Sequence, residues 1–127
     1  MHDPQCVFCQ IWQGELPHRL LHVFNLGSPD AVRVFTPLDE IEPDHVILVP
    51  RVHFAYGIQN PRLAGIVTQC AHEFAAMHPE RYGPADDPHY HVVNQNGKRA
   101  FQTVFHHHTH LYDARGQLMP WTYQRRS

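Results

Sequence analysis

Histidine is concentrated in one short segment, and that segment restricts the fold more than any other part of the sequence. Four of the 13 histidines in this chain of 127 residues fall between positions 106 and 110, in the run Phe-His-His-His-Thr-His-Leu. In an extended chain, alternate side chains point to the same face, about 6.5–7 Å apart. We therefore predict a strand over 104–111 that places His106, His108 and His110 along one wall of a groove.

Three imidazoles on one face suit the transfer of a phosphoryl or nucleotidyl group. A neutral imidazole is a competent nucleophile near its ordinary pKa of about 6.5, and a neighbouring histidine can stabilise phosphoryl oxygens or pass a proton. Gln102 and Thr103 supply an amide and a hydroxyl beside the run, and Asn94 with Gly97 supplies a second amide and a turn. The spacing alone fits catalysis and metal binding equally well.

The composition predicts one domain over 1–127 and excludes several kinds of partner. The formal net charge is −2 and Lys98 is the single lysine, so the chain has no basic surface that would favour duplex nucleic acid. The apolar run 46–49 is too short to cross a bilayer, and the first residues do not resemble a signal peptide. We expect a cytoplasmic protein without a membrane partner.

Periodicity along the chain predicts an α+β fold with five mostly antiparallel strands. Apolar, β-branched runs predict strands over 20–24, 31–35, 45–49 and 89–94, in addition to 104–111. Asn60-Pro61 begins the one long helix, whose apolar residues recur at helical spacing until Pro79. Residues 6–13 predict a short turn or helix at the N-terminal side.

Cys6 and Cys9 form a Cys-x-x-Cys motif that has several explanations. It fits a redox pair, a buried structural pair or one half of a zinc site. The βαβ context of a thioredoxin-like pair is missing. A zinc site needs two more ligands, and histidines are available at 45, 53 and 106.

Several motifs, in order along the chain, resemble the histidine triad (HIT) superfamily. The run 102–112, Gln-Thr-Val-Phe-His-His-His-Thr-His-Leu-Tyr, is similar to the family signature, with Asn94-Gln-Asn-Gly97 before it. The segments Cys6-Val-Phe-Cys9-x-Ile11, Glu15-Leu-Pro17 and 45–53 are similar to earlier family landmarks. The resemblance covers about 6–112 and leaves the tail 113–127 unassigned. It implies a five-stranded antiparallel sheet, a short N-terminal helix and a homodimer.

The resemblance also implies roles for individual residues. His108 corresponds to the nucleophile and His110 to the histidine that orients it or contacts phosphate. Phosphate and leaving-group contacts correspond to Asn94, Gln102 and Thr103. Positions that hold the base correspond to Val7, Phe8, Ile11, Phe35 and Leu38. A structural zinc site corresponds to Cys6, Cys9, His53 and His106.

The implied activity is hydrolysis at the α-phosphate of nucleoside 5′-phosphate derivatives, such as phosphoramidates or dinucleoside polyphosphates, through a nucleotidyl-histidine intermediate. Two alternatives stay open: a nucleotidyltransferase or phosphorylase of the same family, and a zinc-stabilised nucleotide- or partner-binding module without turnover. The binding-module alternative draws on two departures from the family pattern. Pro37 stands where an acid usually binds the ribose, and Phe101 stands where glycine often precedes Gln102.

Two further positions are polar where the family has apolar residues on the opposite face of the histidine strand. These are His107 and Thr109. Burying an unpaired polar group costs about 1–3 kcal/mol, so we expect hydrogen bonds or partial exposure at both positions. His107 is expected to be structural and not a fourth catalytic histidine.

Overall fold

The computed structural model describes residues 3, 5–16, 18–36 and 45–114. The strands are β1 (Arg19–Phe24), β2 (Val32–Thr36), β3 (His45–Pro50), β4 (Tyr90–Val93) and β5 (Thr109–Asp113). The α-helices are α1 (Val7–Trp12), α2 (Pro61–Met77) and α3 (Pro79–Tyr82), with short 3₁₀ helices at Gly57–Gln59 and Lys98–Ala100. None of the helices in the described part of the chain is long and apolar enough to span a membrane.

The five strands form one antiparallel sheet in the order β1-β2-β3-β5-β4. The central strand β3 pairs with β2 on one side and β5 on the other, with Ile47 opposite Phe35 and His110. This pairing brings the histidine run beside residues that lie more than fifty positions earlier in the chain. The predicted α+β class, with a five-stranded antiparallel sheet and one long helix, is confirmed.

Helix α2 covers one face of the sheet, which we call the α2 face. The side chain of Asn60 accepts a hydrogen bond from the Leu63 amide at 3.2 Å, and Pro61 occupies the first helical position, as the sequence predicts. The apolar stripe of α2 packs on inward-facing strand residues, because period two points every second side chain of a strand to this face. The core of this face includes Val32, Val34, Val46, Leu48, Val67, Cys70, Phe74 and Leu111.

The opposite face of the sheet packs against α1, and we call it the α1 face. Its apolar cluster is smaller and is formed by Phe8, Ile11, Phe35, Ile47 and Val49. The indole nitrogen of Trp12 donates to the carbonyl of Val49 at 3.2 Å, which fastens the end of α1 to β3. This face carries the residues of the candidate site.

The predicted strand over 104–111 is wrong in its first half, since β5 begins only at Thr109. The preceding residues bond to the last residue of β3 and to the loop that follows it, without continuing the strand ladder. The His107 amide donates to the carbonyl of Phe54 at 2.6 Å, and His106 Nε2 donates to the carbonyl of Pro50 at 2.8 Å. The alternation of side chains continues through the segment, so His106, His108 and His110 still lie on the α1 face.

Candidate functional site

Four side chains from three separate segments converge at one end of α1. Cys6 and Cys9 belong to the beginning of α1, His53 follows β3, and His106 precedes β5. Their ligand atoms, two Sγ and two ring nitrogens, all lie within 4.8 Å of one another. The structure thus brings together the four residues for which the resemblance implies a metal site.

The distances within this Cys₂His₂ cluster are close to those expected around a tetrahedral metal ion. Zn–S bonds of about 2.3 Å and Zn–N bonds of about 2.05 Å place tetrahedral N and S ligands about 3.3–3.6 Å apart. The Sγ atoms of Cys6 and Cys9 lie 3.4 and 3.5 Å from His106 Nδ1. His53 Nδ1 lies 3.3 Å from Cys9 Sγ and 3.1 Å from His106 Nδ1.

The ring of His106 is oriented for ligation by its second nitrogen. A carbonyl can only accept, so His106 Nε2 carries the proton that it donates to Pro50. The lone pair of Nδ1 then points toward the two thiols and His53. Burial lowers the pKa of His106 to about 4, which keeps the ring neutral, as a ligand must be.

Cys9 is the more deeply buried of the two cysteines in the cluster. It is 2% exposed, and burial raises its pKa to about 11. A thiolate at this position therefore requires a nearby cation, because burial alone favours the neutral thiol. The other cysteine, Cys6, caps the start of α1, because its Sγ accepts a hydrogen bond from the Cys9 amide at 3.4 Å.

His108 presents one defined nitrogen for chemistry. Its Nδ1 lies 2.8 Å from the carbonyl of His106 and must donate to it, so Nε2 holds the free lone pair. The ring is 6% exposed and packs edge-on against Phe8, with centroids 4.9 Å apart. Burial lowers the pKa of His108, which favours the neutral, nucleophilic form.

His110 lies next to His108 and pairs with a histidine that the sequence did not assign to this role. The two ring centroids of His108 and His110 are 4.9 Å apart. His110 Nδ1 is 2.8 Å from His45 Nε2, and the ring of His45 stacks on Tyr112 at 4.4 Å. Burial lowers the pKa of His110 to about 3, so the ring is neutral. His45 was considered only as a zinc ligand, because nothing local in the sequence shows that β3 pairs with β5.

Asn94 holds the backbone of His108. Its amide nitrogen donates to the carbonyl of His108 at 2.7 Å, and its side-chain oxygen accepts from Asn96 at 2.6 Å. Asn96 in turn accepts from the amide of Gly57 at 2.7 Å. The structure shows these contacts of Asn94 with the chain, and the phosphate contact that the resemblance implies stays a prediction.

Gln102 and Thr103, the other implied phosphate contacts, have different surroundings. Gln102 is buried, and its side chain accepts from the Gly97 amide at 2.7 Å and donates to the carbonyls of Ala55 and Val104 at 2.9 and 3.0 Å. These hydrogen bonds join the loop around Gln102 to the segment that contains Ala55. Thr103 is exposed and lines a cavity of about 430 Å³ beside the Cys₂His₂ cluster.

Phe101, which replaces the glycine of the family pattern, adopts a left-handed backbone conformation. Its φ is 69°, and its side chain is 55% exposed. A residue with a Cβ is strained in this region, which explains why glycine suits the position. The aromatic ring points into solvent, so it does not crowd the loop.

The residues for which the resemblance implies contact with a base lie together on the α1 face. Phe8, Ile11 and Phe35 are buried in its apolar cluster, whereas Val7 is 45% exposed and lines the same cavity as Thr103. The rings of Phe8 and Phe35 meet edge-on at 5.8 Å. Leu38 and Pro37 lie outside the described residues, as does the tail from residue 115.

His107 and Thr109 are both buried, and of the two expected alternatives, hydrogen bonds or partial exposure, the structure shows hydrogen-bond contacts, each 3.5 Å from the side-chain nitrogen of Asn94. The ring of His107 stacks on Phe54, with centroids 4.9 Å apart and planes at 17°. Its Nε2 is 3.5 Å from the amide nitrogen of Asn94, and its Nδ1 has no hydrogen-bond partner within the described ranges. The expected structural role of His107 fits this buried, stacked position.

The fold and the site define a class: an α+β protein with one antiparallel sheet, a paired-histidine centre and a neighbouring Cys₂His₂ cluster. No family model matches the chain. It is 28% identical, over 108 residues, to "Adenosine 5'-monophosphoramidase HNT1" of Candida albicans, a match that covers 84% of this chain and 68% of the relative.

Two solved structures resemble the chain at slightly lower identity. A HIT family hydrolase from Clostridium thermocellum is 26% identical, with a TM-score of 0.67, and the match covers 92% of this chain and 96% of that one. A Zn-bound histidine triad family protein from Mycobacterium smegmatis is 25% identical, with a TM-score of 0.69, covering 88% and 76%. The chain is thus similar, in sequence and in fold, to proteins of the histidine triad superfamily.

Proposed function

We propose that this protein hydrolyses nucleoside 5′-phosphate derivatives at the α-phosphate, with His108 as the nucleophile. The observation that carries the proposal is the 2.8 Å hydrogen bond from His108 Nδ1 to the carbonyl of His106, which leaves the Nε2 lone pair free. A fixed tautomer on a buried, neutral ring is the state that nucleophilic attack requires. The names of the Candida and Clostridium relatives support the same reaction class.

In the first step, His108 Nε2 attacks the α-phosphorus of a nucleoside phosphoramidate. An N–P bond forms as the bond from phosphorus to the leaving nitrogen breaks, and that nitrogen takes a proton from solvent and departs as ammonia. The imidazole ring becomes positively charged. The carbonyl of His106 stabilises this charge, because its hydrogen bond from Nδ1 strengthens as the ring becomes cationic.

In the second step, water attacks the same phosphorus. The N–P bond breaks, its electron pair returns to Nε2, and a proton is released to solvent with the nucleoside monophosphate. When His45 donates to His110 Nδ1, His110 presents Nε2–H as a donor for a phosphoryl oxygen in both steps. Asn94 contributes by holding the His108 backbone in place.

We further propose that the Cys₂His₂ cluster binds structural Zn²⁺ through Cys6, Cys9, His53 and His106. The proposal is supported by the ligand distances, the tautomer of His106 and the Zn-bound relative. Four protein ligands leave no open coordination position, so the ion would supply cross-linking and not a reactive water. Its place in the molecule would be to tie α1 to the segment that precedes β5.

Hydrolysis of adenosine 5′-phosphoramidate by the wild type and by His108→Gly tests the proposed activity. We expect turnover by the wild type and a loss of at least about a thousandfold in the variant, the scale seen when a nucleophile is removed. His91→Gly is the matched control, because His91 is exposed on β4 and its strand partner is Tyr112, not His108 or His110. Circular dichroism and binding of AMP establish that each variant is folded.

Equal turnover by His108→Gly and the wild type would contradict the assignment of the nucleophile. Tight nucleotide binding without turnover by the wild type would instead support a binding module. Adding inorganic phosphate separates hydrolysis from transfer, since a phosphorylase forms ADP and a hydrolase forms AMP.

A further inference from the structure

His18 lies at the edge of the aromatic cluster on the α1 face and has no assigned role. We infer that His18 helps to recognise the nucleoside: its Nε2 accepts a hydrogen bond from a donor group on the sugar or the base. This inference rests on the proposed function, because it places the nucleoside against Phe8 and Phe35.

A continuous series of ring contacts leads from the nucleophile to His18. The ring of His108 meets Phe8 at 4.9 Å, Phe8 meets Phe35 at 5.8 Å, and Phe35 meets His18 at 5.4 Å. A nucleotide with its α-phosphate at His108 and its nucleoside along these rings extends in the direction of His18. The residue immediately precedes β1, whose first residue, Arg19, pairs with Thr36 at the end of β2.

The hydrogen bonds of His18 define which nitrogen is available. Nδ1 lies 3.0 Å from the carbonyl of Leu16 and must donate to it, so the lone pair is on Nε2. A guanidinium nitrogen of Arg33 lies 3.4 Å from Nε2, and this group can only donate, which gives the same tautomer independently.

The contact between Arg33 and His18 is weak enough for a ligand to replace. A distance of 3.4 Å is beyond the usual 2.7–3.2 Å of N–H hydrogen bonds. The same nitrogen of Arg33 has a better partner in the carbonyl of Ile11, at 2.8 Å, and the guanidinium stacks over Trp12 at 4.5 Å. Arg33 is therefore held in place without His18, and Nε2 can accept from another donor.

The possible donors on a purine nucleoside are the ribose hydroxyls and an exocyclic amino group. A site built to bond such a donor discriminates against an analogue that lacks it, since the analogue does not form that hydrogen bond.

Calorimetric binding of four nucleotides tests this inference without relying on turnover. The probes are AMP, 2′-deoxy-AMP, 3′-deoxy-AMP and purine riboside 5′-monophosphate, each of the last three lacking one donor. We expect the wild type to bind AMP about three- to tenfold more tightly than at least one of them, the range for one neutral hydrogen bond. In His18→Phe, which keeps a ring against Phe35, we expect this difference to disappear.

His22→Phe is the matched control. His22 belongs to β1, but its ring packs against Phe24 at 4.5 Å and Phe74 at 6.5 Å on the α2 face. This variant should keep the wild-type discrimination.

Each result decides between the two proposals. The inference is overturned when the wild type binds all four nucleotides equally, or when His18→Phe discriminates as the wild type does. Turnover of the phosphoramidate without discrimination leaves the proposed function standing and removes this inference. Discrimination without turnover leaves the role of His18 standing and removes the proposed hydrolysis. Failure of all four nucleotides to bind removes both the role of His18 and the proposed hydrolysis.

Discussion

The two faces of the sheet use the same strands but are held together by different chemistry. On the α2 face, β2 and β3 contribute Val34 and Leu48 to an apolar core closed by a seventeen-residue helix. On the α1 face, the neighbouring positions Phe35 and Ile47 belong to a small cluster beneath a six-residue helix. Beside that cluster lie two thiols and several imidazoles.

Burial of apolar area therefore stabilises the α2 face, whereas the α1 face depends on groups that titrate and can bind metal. Apolar packing is insensitive to pH and to chelators over ordinary conditions. A cluster of thiols and imidazoles is sensitive to both, because ligation requires deprotonated ligands. Solution conditions should therefore affect the two faces separately.

The largest effect should come from a cavity on the α2 face. Leu48 is fully buried, so Leu48→Ala should lower the free energy of unfolding by about 2–5 kcal/mol. Denaturant unfolding with added zinc and with a chelator measures this loss under both conditions. A loss that changes between zinc and chelator would show that the two faces are not independent.

Metal removal should produce the next largest effect, and only through the α1 face. Free Zn²⁺ at about 100 to 1,000 times its Kd stabilises a protein that binds it by about 3–4 kcal/mol. Cys9→Ala should abolish this gain in denaturant unfolding.

Cys70→Ala is the control for Cys9→Ala, since the two cysteines are 3% and 2% exposed but lie on opposite faces. It should keep the full gain from zinc. A purified wild type that is metal-free, fully folded and indifferent to zinc would disprove the metal site.

A fall of one pH unit in the acid range should produce the smallest change in the free energy of unfolding. Burial lowers the pKa of His110 to about 3 in the folded state, against about 6.5 in the unfolded chain. The unfolded state therefore binds the proton first. The stabilising contribution is complete above pH 6.5 and is lost as the pH falls from 6.5 toward 3, by up to about 1.4 kcal/mol per pH unit.

His110→Leu should remove this part of the slope from a plot of unfolding free energy against pH, while leaving the curve above pH 6.5 parallel to that of the wild type. Val67→Ala, on the α2 face, should lower the whole curve and keep its slope. A wild-type slope in His110→Leu would mean that this histidine does not contribute to acid sensitivity.

Local signals made the α2 face predictable from the sequence. The cap at Asn60, the proline after it and the apolar stripe of α2 each act within a few residues, and the helix begins where they indicate. The alternation of side chains in the histidine run was also correct. Its extent as a strand was not, because the bonds from His106 to Pro50 of β3 and from His107 to Phe54 depend on tertiary structure.

The α1 face required information that a single sequence does not contain. The pairing of His45 with His110 depends on the register between β3 and β5, and the position of His18 depends on that between β1 and β2. The four cluster residues were proposed from motif order within a known family, since spacing left several histidines possible. The phosphate contact of Asn94 stays a prediction, and its hydrogen bonds to His108 and Asn96 could not be predicted from its neighbours in the sequence.

The Cys₂His₂ cluster also has a consequence for chain topology. Cys6 and His106 lie 100 positions apart, so an ion held between them would close nearly the whole domain into a ring. Such closure removes conformations from the unfolded ensemble, and the entropy removed grows with the logarithm of the ring length. Zinc present before folding would therefore link the segments that contain Cys6 and His106 in the unfolded chain. Refolding rates would then depend on whether the ion is added before or after the denaturant is diluted.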